Sequence, residues 1–495
     1  MSRGLLERVS RWWRGTPPRS LAERRGQRTA LSVATGSYEA GAVARNTSQM
    51  YAEANLFEAD WDVWSYLVTV RARSRHEMRN SGYLAGIVRT WATDVVGPRG
   101  PTLKIFSEDE EFNQALEYWW DWWTKRSDAG RRLTFAEWLR LGETQQWQAG
   151  EDLAQLVWVD DGEPLSFRVR SLEPDLLATP YGLTMDDDVV MGVRLGDAGE
   201  PLRYYVQEEF PLLGMVMMTA SGRYHELEAR EVIHDYRSGR PGQTRGMPWL
   251  TPVLDAATIY RDWIKTCLVA QQHAAKFSVV LTTEHPDAEF DDLDDELPTW
   301  DLEGGVAATF PRGWKAGQIR PEHPSTSFAE FSAEVMRQIA RPVSMPLLRA
   351  RCDASGANYT SGRMDVLCYW REVETREAEL ETRKCDRCLA EVQREAELRG
   401  LTPPAPPRWW AAWGWAKAPV IDDYKAAQAT KLRIETGTSS LAEEIPDWEG
   451  LLEMRRRIED RAEELGVELT PGKAEAEGAG PDTQELADLI TGANA

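Results

Sequence analysis

A short run of glycine and proline constrains this chain more than any other feature. Residues 240–252 read Arg-Pro-Gly-Gln-Thr-Arg-Gly-Met-Pro-Trp-Leu-Thr-Pro, with two glycines and three prolines. Proline fixes one backbone dihedral and glycine admits conformations closed to other residues, so the run specifies a rigid turn. Thr251 followed by Pro252 is a good helix start. We therefore expect a stiff elbow that leads into a helix over residues 252–276, about 37 Å long at about 1.5 Å per residue.

Length and composition indicate a soluble protein of several domains. The chain has 495 residues, of which 42% are apolar and 28% charged. At about 150 residues per domain this allows roughly three domains. The net charge of −22 argues against a general nucleic-acid binder, which needs a basic face to neutralise phosphates. It suits a surface along which DNA slides rather than sticks, although simple solubility would explain it equally well.

Motifs for catalysis, cofactors and metals are missing from the sequence. The six histidines are scattered, and the odd number of five cysteines implies no disulfide framework. Cys385 and Cys388 form a C-x-x-C pair, but they supply only two of the four ligands that zinc needs, so both are expected in the core. Residues 240–246 form a basic loop, yet the phosphate-loop signature G-x-x-x-x-G-K-[ST] is absent. We therefore predict no metal, no cofactor and no enzymatic activity.

The two ends of the chain differ in charge. Residues 1–30 carry eight arginines against two glutamates, and we expect residues 1–55 to form a flexible basic arm. A short amphipathic helix on a membrane or an acidic partner is the alternative. Neither a secretory apolar region nor an apolar stretch of about 18 residues occurs, so we predict no membrane association and a reducing cytoplasm. Residues 471–495, rich in Ala, Gly and Glu, are expected to be disordered.

The first half of the chain predicts helices followed by strands. Apolar residues at helical spacing predict helices over residues 61–93, 108–125 and 134–149. Thr134 and Glu137 form a capping box at the start of the third helix. The period then changes to two, which predicts antiparallel strands over residues 153–159, 167–170, 189–195 and 202–207. A tryptophan cluster in the second helix indicates core or subunit contact rather than ligand stacking: Trp119, Trp120, Trp122 and Trp123.

An acidic insert separates two predicted helices in the second half. Residues 278–311 contain ten acidic residues and neither lysine nor arginine. The calcium-loop spacing D-x-[DN]-x-[DN]-G is absent, so a solvated or partner-facing loop is the simpler interpretation. The helix before the insert covers residues 252–276. The helix after it covers residues 328–340 and begins with a capping box of Ser327 and Glu330.

A loop and a long helix follow. Two prolines and a glycine predict a loop over residues 342–357. Residues 360–399 predict a helix of about 60 Å, ended by Gly400, which is longer than one compact domain usually needs. We expect this helix to tie separate parts of the molecule together. A proline-rich linker at residues 403–407 then precedes a helical region over residues 423–466.

Two stretches of the sequence carry a family motif. Residues 240–254 are the first, and residues 355–363, Ser-Gly-Ala-Asn-Tyr-Thr-Ser-Gly-Arg, are similar to a stretch S-G-x-N-Y-S-S-x-R. The motif positions are Arg240, Pro241, Gly242, Gln243, Arg245, Gly246, Pro248, Trp249, Gly356, Asn358, Tyr359, Ser361 and Arg363. Weaker matches in the same order lie at residues 80–97, 339–348 and 425–444. Over about residues 60–450 the chain thus resembles the lambda-like portal proteins of tailed bacteriophages.

The resemblance implies a fold, a function and a set of partners. The fold would be α+β and mainly helical, with a β-rich wing portion, two stem helices, a clip insert, a tunnel loop and a long wing helix. The function would be that of a ring, commonly of twelve subunits, at one capsid vertex, through which duplex DNA passes without sequence specificity. The energy would come from the large subunit of the terminase, since such a portal has no ATPase. Other partners would be the head–tail adaptor and the major capsid or scaffold protein, in a virion assembled in the host cytoplasm.

The resemblance also implies a division of the chain. A wing would cover residues 56–248, a stem helix 249–277, an acidic clip 278–325, a second stem helix 326–341, a tunnel loop 342–358, a long wing helix 359–400 and a crown 401–470. The residues implied to face DNA are Ser344, Met345, Leu347, Leu348, Arg349 and Arg351. Those implied to contact the motor or adaptor are Asp291, Asp292, Asp294, Asp295 and Glu296.

Two other functions remain open at this point. One is a cytoplasmic hydrolase with an active site built from scattered residues, which predicts activity in a monomer. The other is a different phage head or connector protein, which would assemble without a central channel.

Overall fold

The computed structural model describes most of the chain after residue 57. The described residues are 58–180, 183, 188–208, 219–220, 223–275, 279–283, 314–318, 328–355, 359–418, 423–438, 452 and 455–456. Two units are distinguished, Met1–Asp62 and Val63–Ala495, and the contacts below lie within the second. The predictions for the basic arm, for Ser327 and for the tail from residue 471 lie outside the described residues.

Helices occupy most of the predicted helical segments. Those described are α1 Ala59–Asn80, α2 Gly82–Val96, α3 Glu110–Thr124, α4 Phe135–Gln148, α5 Leu254–Ala275, α6 Phe328–Ala340, α7 Leu347–Arg351, α8 Tyr359–Leu380, α9 Asp386–Leu398 and α10 Asp423–Glu435. The predicted capping box of Thr134 and Glu137 is present at the start of α4, and Asp109 caps α3. Because each cap satisfies backbone N–H groups that lack a helical partner, these two helix starts are fixed locally.

The prediction of one helix over residues 61–93 is wrong, because Ser81 divides it into α1 and α2. Ser81 is extended, with φ −115° and ψ 109°, and its Oγ accepts a hydrogen bond from Leu84 N at 3.4 Å. A residue that caps a helix start has non-helical dihedrals. The residue that begins α2 therefore also ends α1.

The strands form small sheets that are antiparallel with one exception. Those described are β1 Thr102–Ser107, β2 Glu151–Trp158, β3 Phe167–Leu172, β4 Thr179–Pro180, β5 Val189–Val190, β6 Val193–Leu195, β7 Pro201–Gln207, β8 Thr219–Ala220, β9 Tyr224–Glu228, β10 Val232–Tyr236, β11 Val279–Thr283, β12 Trp314–Gln318 and β13 Trp409–Gly414. One sheet has the order β10-β2-β3 and another β5-β6-β7-β9, whereas β4 and β8 pair in parallel. The mixture of helices and strands confirms the predicted α+β class.

The strand predictions hold for β2, β3 and β7 and fail at residues 189–195. That segment is a hairpin rather than one strand, since β5 and β6 pair with each other. Met191 and Gly192 join them with positive φ angles of 48° and 87°. A tight two-residue hairpin turn requires such angles, and glycine at the second position supplies one of them without strain.

A two-stranded sheet joins the first helices to a segment some three hundred residues later in the chain. β1 pairs with β13, with Thr102 opposite Gly414 and Ser107 opposite Trp409. Trp409 and Trp413 of β13 pack against the core that α3 and α4 also build. The sequence did not predict this pairing, because no local signal specifies a partner so distant in the chain.

The long helix contains a wide turn that the sequence did not predict. α8 and α9 continue one another through a π-helical turn at Glu381–Cys385, and Gly400, with φ 69°, follows their end. Lys384 in this turn is fully buried and its Nζ donates to Asp152 Oδ2 at 2.8 Å. Such turns insert an extra residue and change the direction of side chains. The turn thus lets a charged side chain and the buried Cys385 enter the core next to each other.

Aromatic side chains dominate the core. Trp120 and Trp123 are buried, and Trp119 and Trp122 pack partly buried against the same core, so the tryptophan cluster is largely a packing feature. The Trp123 ring stacks on Phe167 of β3 at a centroid distance of 5.3 Å and an angle of 8°. Large aromatic rings bury more apolar area than other side chains. Helices α3 and α4 therefore share one core with strands β2, β3 and β10.

Candidate functional site

The motif loop, defined here as residues 240–249, is built around one buried arginine. Arg245 is 1% exposed, and its Nε and Nη2 donate to Glu151 Oε1 at 2.8 and 2.5 Å. Its Nη1 donates to the carbonyl of Met191 at 2.6 Å, and Nη2 also donates to the carbonyl of Pro174 at 2.8 Å. These acceptors come from β2, from the β5–β6 turn and from the chain after β3. Arg245 therefore fastens the loop to three separate segments.

Glu151 is the common acceptor of this site. It is fully buried and also accepts from Arg71 Nη2 at 2.5 Å and from Gly246 N at 3.0 Å, while His234 Nε2 lies 2.9 Å from its Oε2. Burial opposes ionisation of this carboxyl, but Arg245 and Arg71 outweigh it and hold the pKa of Glu151 well below its usual value. Glu151 is thus held in its ionised form inside the protein, where it forms ion pairs with two guanidinium groups.

Two glycines allow the loop to lie against the end of α4. A Cβ placed on Gly246 would lie 2.0 Å from the carbonyl oxygen of Gly150. A Cβ on Gly150, whose φ is 85°, would lie 2.2 Å from the carbonyl carbon of Met247. Real side chains never approach backbone so closely, so both positions require glycine. The glycine at the motif position is therefore explained by packing rather than by a ligand.

The exposed tip of the loop is held by Gln243. Its Oε1 accepts from Gly239 N at 2.8 Å and its Nε2 donates to the carbonyl of Arg245 at 2.7 Å. The exposed motif residues are Arg240, Pro241 and Gly242. A side-chain amide that bonds to backbone on both sides of a turn fixes the turn without a partner molecule.

Trp249 and Pro248 end the loop inside the protein. Trp249 N donates to the carbonyl of Gln146 at 3.1 Å, and its ring centroid lies 4.4 Å from the guanidinium carbon of Arg237 and 5.8 Å from the ring of Trp91. Pro248 is buried. These contacts combine cation–π and edge-to-face aromatic packing.

Thr251 does not cap the following helix, which corrects one prediction. Thr251–Val253 form a 3₁₀ turn, and Thr251 Oγ1 donates to the carbonyl of Pro248 at 2.5 Å. Because the hydroxyl is used as a donor towards the loop, α5 begins at Leu254 instead. The predicted helix over residues 252–276 is otherwise confirmed in position and length.

A second buried charge network clamps the long helix to the same region. Arg376 on α8 is fully buried and its Nη2 donates to Asp235 Oδ2 at 2.5 Å and to Glu143 Oε1 at 2.8 Å. Arg383 Nη1 donates to Asp235 Oδ1 at 2.9 Å, and Lys384 Nζ lies 3.4 Å from Oδ2. Burial opposes ionisation of Asp235, yet Arg376 and Lys384 hold its pKa far below the usual value. Sequence reasoning missed this network because its members come from three distant segments.

The second motif is described only in part. Gly356 and Asn358 lie outside the described residues, and so does the side chain of Tyr359, where α8 begins. Ser361 and Arg363 are exposed on the first turn of α8.

The segment of residues 341–355, named here the tunnel segment, is only partly a loop. A 3₁₀ turn at Arg341–Val343 is followed by the short helix α7, and Ser344 and Cys352 next to these turns have positive φ angles of 54° and 51°. The prediction of a loop throughout is therefore wrong. Met345, which was expected to face DNA, is only 4% exposed in the single chain and packs against the core.

The two arginines predicted to face DNA differ in their surroundings. Arg349 forms an ion pair with Asp94 of α2, and Tyr369 Oη donates to Asp94 Oδ2 at 3.0 Å. Burial raises the pKa of Asp94 although Arg349 opposes that shift. Arg351 has a longer contact of 3.9 Å with Asp353. Arg349 is thus engaged in the fold, whereas Arg351 is held loosely.

A cleft of about 570 Å³ lies beside the tunnel segment. It is bounded by α6, by the tunnel segment and by the first turns of α8. The predicted residues that line it are Ser344, Met345, Leu347, Leu348 and Arg351, together with Ser361 of the second motif. Arg337 and Arg341 also line it, and the sequence did not single them out because they lie in the helix before the predicted loop.

The helices on either side of the acidic insert pack against each other. Tyr260 Oη and Ser332 Oγ lie 2.6 Å apart, and the Trp263 ring stacks on Phe328 at 4.7 Å and meets Phe331 edge-on. Between the two helices in sequence, β11 and β12 pair antiparallel. The chain therefore enters and leaves the acidic insert through two neighbouring strands. The five acidic residues expected to contact a motor or adaptor lie outside the described residues: Asp291, Asp292, Asp294, Asp295 and Glu296.

Three general properties of the described residues bear on chemistry. Among them, groups of three or more His, Cys, Asp or Glu side chains that could hold a metal ion do not occur. The helices found there are all too short or too polar to cross a membrane. Cys385 and Cys388 are both buried, as predicted for core residues, and burial raises the pKa of the Cys388 thiol to about 12.

Comparison with known proteins identifies the family. Residues 45–377 match the sequence model of the family described as phage portal protein, lambda family. The chain is 23% identical over 476 residues to the probable portal protein of Halomonas phage phiHAP-1, covering 89% of this chain and 88% of that protein. It is 24% identical over 426 residues to the portal protein of Escherichia phage N15, covering 75% and 79%.

A solved structure is similar at low identity. The neck of an empty GTA particle computed with C6 symmetry is 16% identical, with a TM-score of 0.48, and the likeness covers 74% of this chain and 90% of that chain. The family match spans both motifs and more than half of the residues. The chain therefore belongs to the lambda family of phage portal proteins.

Proposed function

We propose that this chain forms a ring at one capsid vertex and that duplex DNA passes through the ring during packaging and ejection. The observation that carries the proposal is the family match over residues 45–377, which includes both motifs and the segments between them. The ring also joins head to tail. Twelve subunits is the number that the family resemblance implies.

The proposed stem and clip are α5, the β11–β12 hairpin and α6. Their support is the aromatic contact between the two helices and the antiparallel hairpin beyond them. In this proposal the acidic side chains within residues 291–296 contact the large subunit of the terminase at one stage and the head–tail adaptor at another. The chain itself performs no catalysis, and the terminase supplies the energy. Contacts with the major capsid or scaffold protein belong to other surfaces of the ring.

The tunnel segment is the proposed DNA-facing part. Ser344, Leu347, Leu348 and Arg351 are partly exposed and line one cleft, and the ion pair of Arg351 with Asp353 is long, at 3.9 Å. The net charge of −22 repels DNA over long distances. A few loosely held cations offer brief contacts with phosphates at short range, so DNA can move past without being trapped. Arg349 contributes less in this proposal, because it is paired with Asp94.

Electron microscopy of the purified full-length chain tests the proposal against both alternatives. A closed ring with a channel wide enough for a DNA duplex supports a portal. A ring or other assembly without a channel indicates a different head or connector protein. A chain that stays monomeric and hydrolyses a substrate indicates the hydrolase.

A further inference from the structure

A basic pocket lies at the turn between α3 and α4, far along the sequence from both motifs. It has a volume of about 270 Å³ and is lined by five cationic side chains against two carboxylates. The cations are Lys125, Arg126, Arg131, Arg132 and Arg168. In a chain with a net charge of −22, such a local excess of positive charge is unusual and indicates an anionic ligand.

The positive charges in this pocket are only partly balanced. Lys125 Nζ donates to Asp121 Oδ2 at 2.7 Å, but the arginines have fewer carboxylate partners. Arg131 Nη2 and Arg168 Nη2 share a single oxygen, Asp161 Oδ2, at 3.0 and 3.2 Å. Arg126 lies 4.0 Å from Glu163, at the limit of an ion pair. For Arg132, whose side chain is exposed, the described part of the chain shows no ion pair. One carboxylate oxygen cannot neutralise two guanidinium groups, so the pocket keeps capacity for further anions.

The turn that carries these arginines is rigid. Asp128 Oδ2 accepts from Arg132 N at 2.8 Å and from Leu133 N at 3.3 Å, and Arg131 N donates to the carbonyl of Asp128 at 3.0 Å. The N-terminus of α4 follows at once, and its partial positive charge adds to the field in the pocket. A ligand would therefore meet cations already in position, at little cost in conformational entropy.

The size of the pocket favours carboxylate side chains over a nucleic acid. A DNA duplex binds along an extended basic face, whereas about 270 Å³ accommodates only one or two small groups. The chain itself contains a suitable segment. Residues 474–495 carry five carboxylates and neither lysine nor arginine. A tethered segment is present at a high effective concentration near its own chain and near any neighbouring copy.

We propose that this basic pocket binds the acidic segment of residues 474–495, from the same chain or from a second copy. The carboxylates pair with the exposed guanidinium groups of Arg131 and Arg132 and with Lys125. This binding requires neither a channel nor a particular number of subunits. It would hold in a monomer or in a ring.

Zero-length crosslinking of the full-length chain with a carbodiimide tests the proposal, because it joins an amine only to a carboxylate in contact with it. Lys125 is 62% exposed in its side chain and pairs with Asp121 four residues before it. Lys265 is a matched control, since it is 65% exposed and pairs with Asp262 three residues before it. Mass spectrometry is expected to find Lys125 joined to residues 474–495 at least about threefold more often than Lys265, as expected for an attraction of roughly 0.7 kcal/mol.

Further variants and conditions complete the test. The double variant Arg131→Gln with Arg132→Gln, checked for unchanged thermal unfolding, is expected to lose the excess of Lys125 crosslinks, and so is the wild type at about 1 M salt. Equal crosslinking of Lys125 and Lys265 to the acidic segment would overturn the proposal. Crosslinks of Lys125 to residues 284–303 instead would overturn it in favour of the acidic insert. Mixing isotope-labelled and unlabelled chains distinguishes a segment of the same chain from one of a second copy.

Discussion

The motif loop and the tunnel segment look alike in sequence and differ in structure. Both contain glycine or proline and arginine next to a helix, and both lie within the residues that match the portal family. In the motif loop Arg245 is 1% exposed and every contact shown for its guanidinium ends on a buried acceptor. In the tunnel segment the side chain of Arg351 is 26% exposed, and its ion pair with Asp353 is long, at 3.9 Å.

The difference teaches that a family motif can lie in a segment that stabilises the fold rather than in a functional surface. The motif loop supplies charges that the buried Glu151 requires, so its residues are constrained by the fold. Some side chains of the tunnel segment form fewer stabilising contacts within the fold. Mutations should therefore unfold the protein at the first place and change its function at the second. Four predictions test this contrast.

The largest loss of stability is expected from Arg245→Met. This change leaves Glu151 fully buried next to fewer positive charges, and breaking a buried ion pair by removing one partner costs about 3–5 kcal/mol. The control is Arg230→Met, which removes an equally close pair with Glu228 from an arginine side chain that is 80% exposed. There we expect a change within about 1 kcal/mol. Urea unfolding measures both, and equal losses would show that the motif arginine is not a structural element.

Gly246→Ala is expected to cost about 3 kcal/mol, because the new methyl group would overlap the carbonyl oxygen of Gly150. Gly239→Ala is the matched change near the other end of the loop. Its Cβ would meet nothing closer than Gln243 Oε1 at 3.5 Å, so we expect little change. Thermal unfolding of the two variants compares them directly. A tolerated Gly246→Ala would mean that the loop can move away from α4.

Glu377 on α8 sharpens the comparison, since it is a buried carboxyl without the cations that Glu151 has. Its Oε1 has no hydrogen-bond partner in the described part of the chain, and burial raises its pKa to about 8. A carboxyl whose pKa is raised on folding contributes stability below its unfolded pKa of about 4.3, and this is lost as pH rises through the folded value. Glu377→Gln should therefore stabilise the protein by on the order of a few kcal/mol at pH 9.

The same variant should have nearly the wild-type melting temperature at about pH 3, below both pKa values, where Glu377 is mostly protonated in both states. Melting curves of the wild type and Glu377→Gln across this pH range measure the effect. An equal difference at both ends of the range would contradict the raised pKa.

The smallest effect on stability and the clearest effect on function are expected from Arg351→Glu. The fold should lose less than about 1 kcal/mol, because the pair with Asp353 is long and partly exposed. DNA packaged per particle should fall while ring assembly is unchanged. Arg349→Glu is the contrasting variant, and it should lower stability because it places a second carboxylate next to Asp94. Normal packaging with Arg351→Glu would remove this residue from the mechanism.

The sequence predicted the local features of this fold well. Capping at Thr134, the helix after the motif loop and the strands β2, β3 and β7 all follow from signals within a few residues. The break at Ser81 was missed because a serine at a helix start does not by itself interrupt an apolar pattern. The wide turn at Glu381–Cys385 was missed because it depends on the reach of Lys384 to Asp152, far away in sequence.

The sites were predicted less completely than the fold. The family motifs identified Arg245 and Gly246, but not the reason for them, because their partners Glu151 and Gly150 lie almost a hundred residues earlier. In the tunnel segment, the sequence did not predict the burial of Met345 or the pairing of Arg349 with Asp94, because both depend on packing against α2 and the core. Contacts between distant segments leave no local pattern in a single sequence.

The most direct measurement is a cryo-electron microscopy map of the assembled full-length chain at a resolution that shows side chains. The account predicts a closed ring whose channel is lined by the tunnel segment, with Arg351 nearer the axis than Arg349. It also predicts that the motif loop does not line the channel and that Arg245 keeps its hydrogen bond to Glu151, as in the single chain. A channel lined by residues 240–249, or an assembly without a channel, would contradict the account.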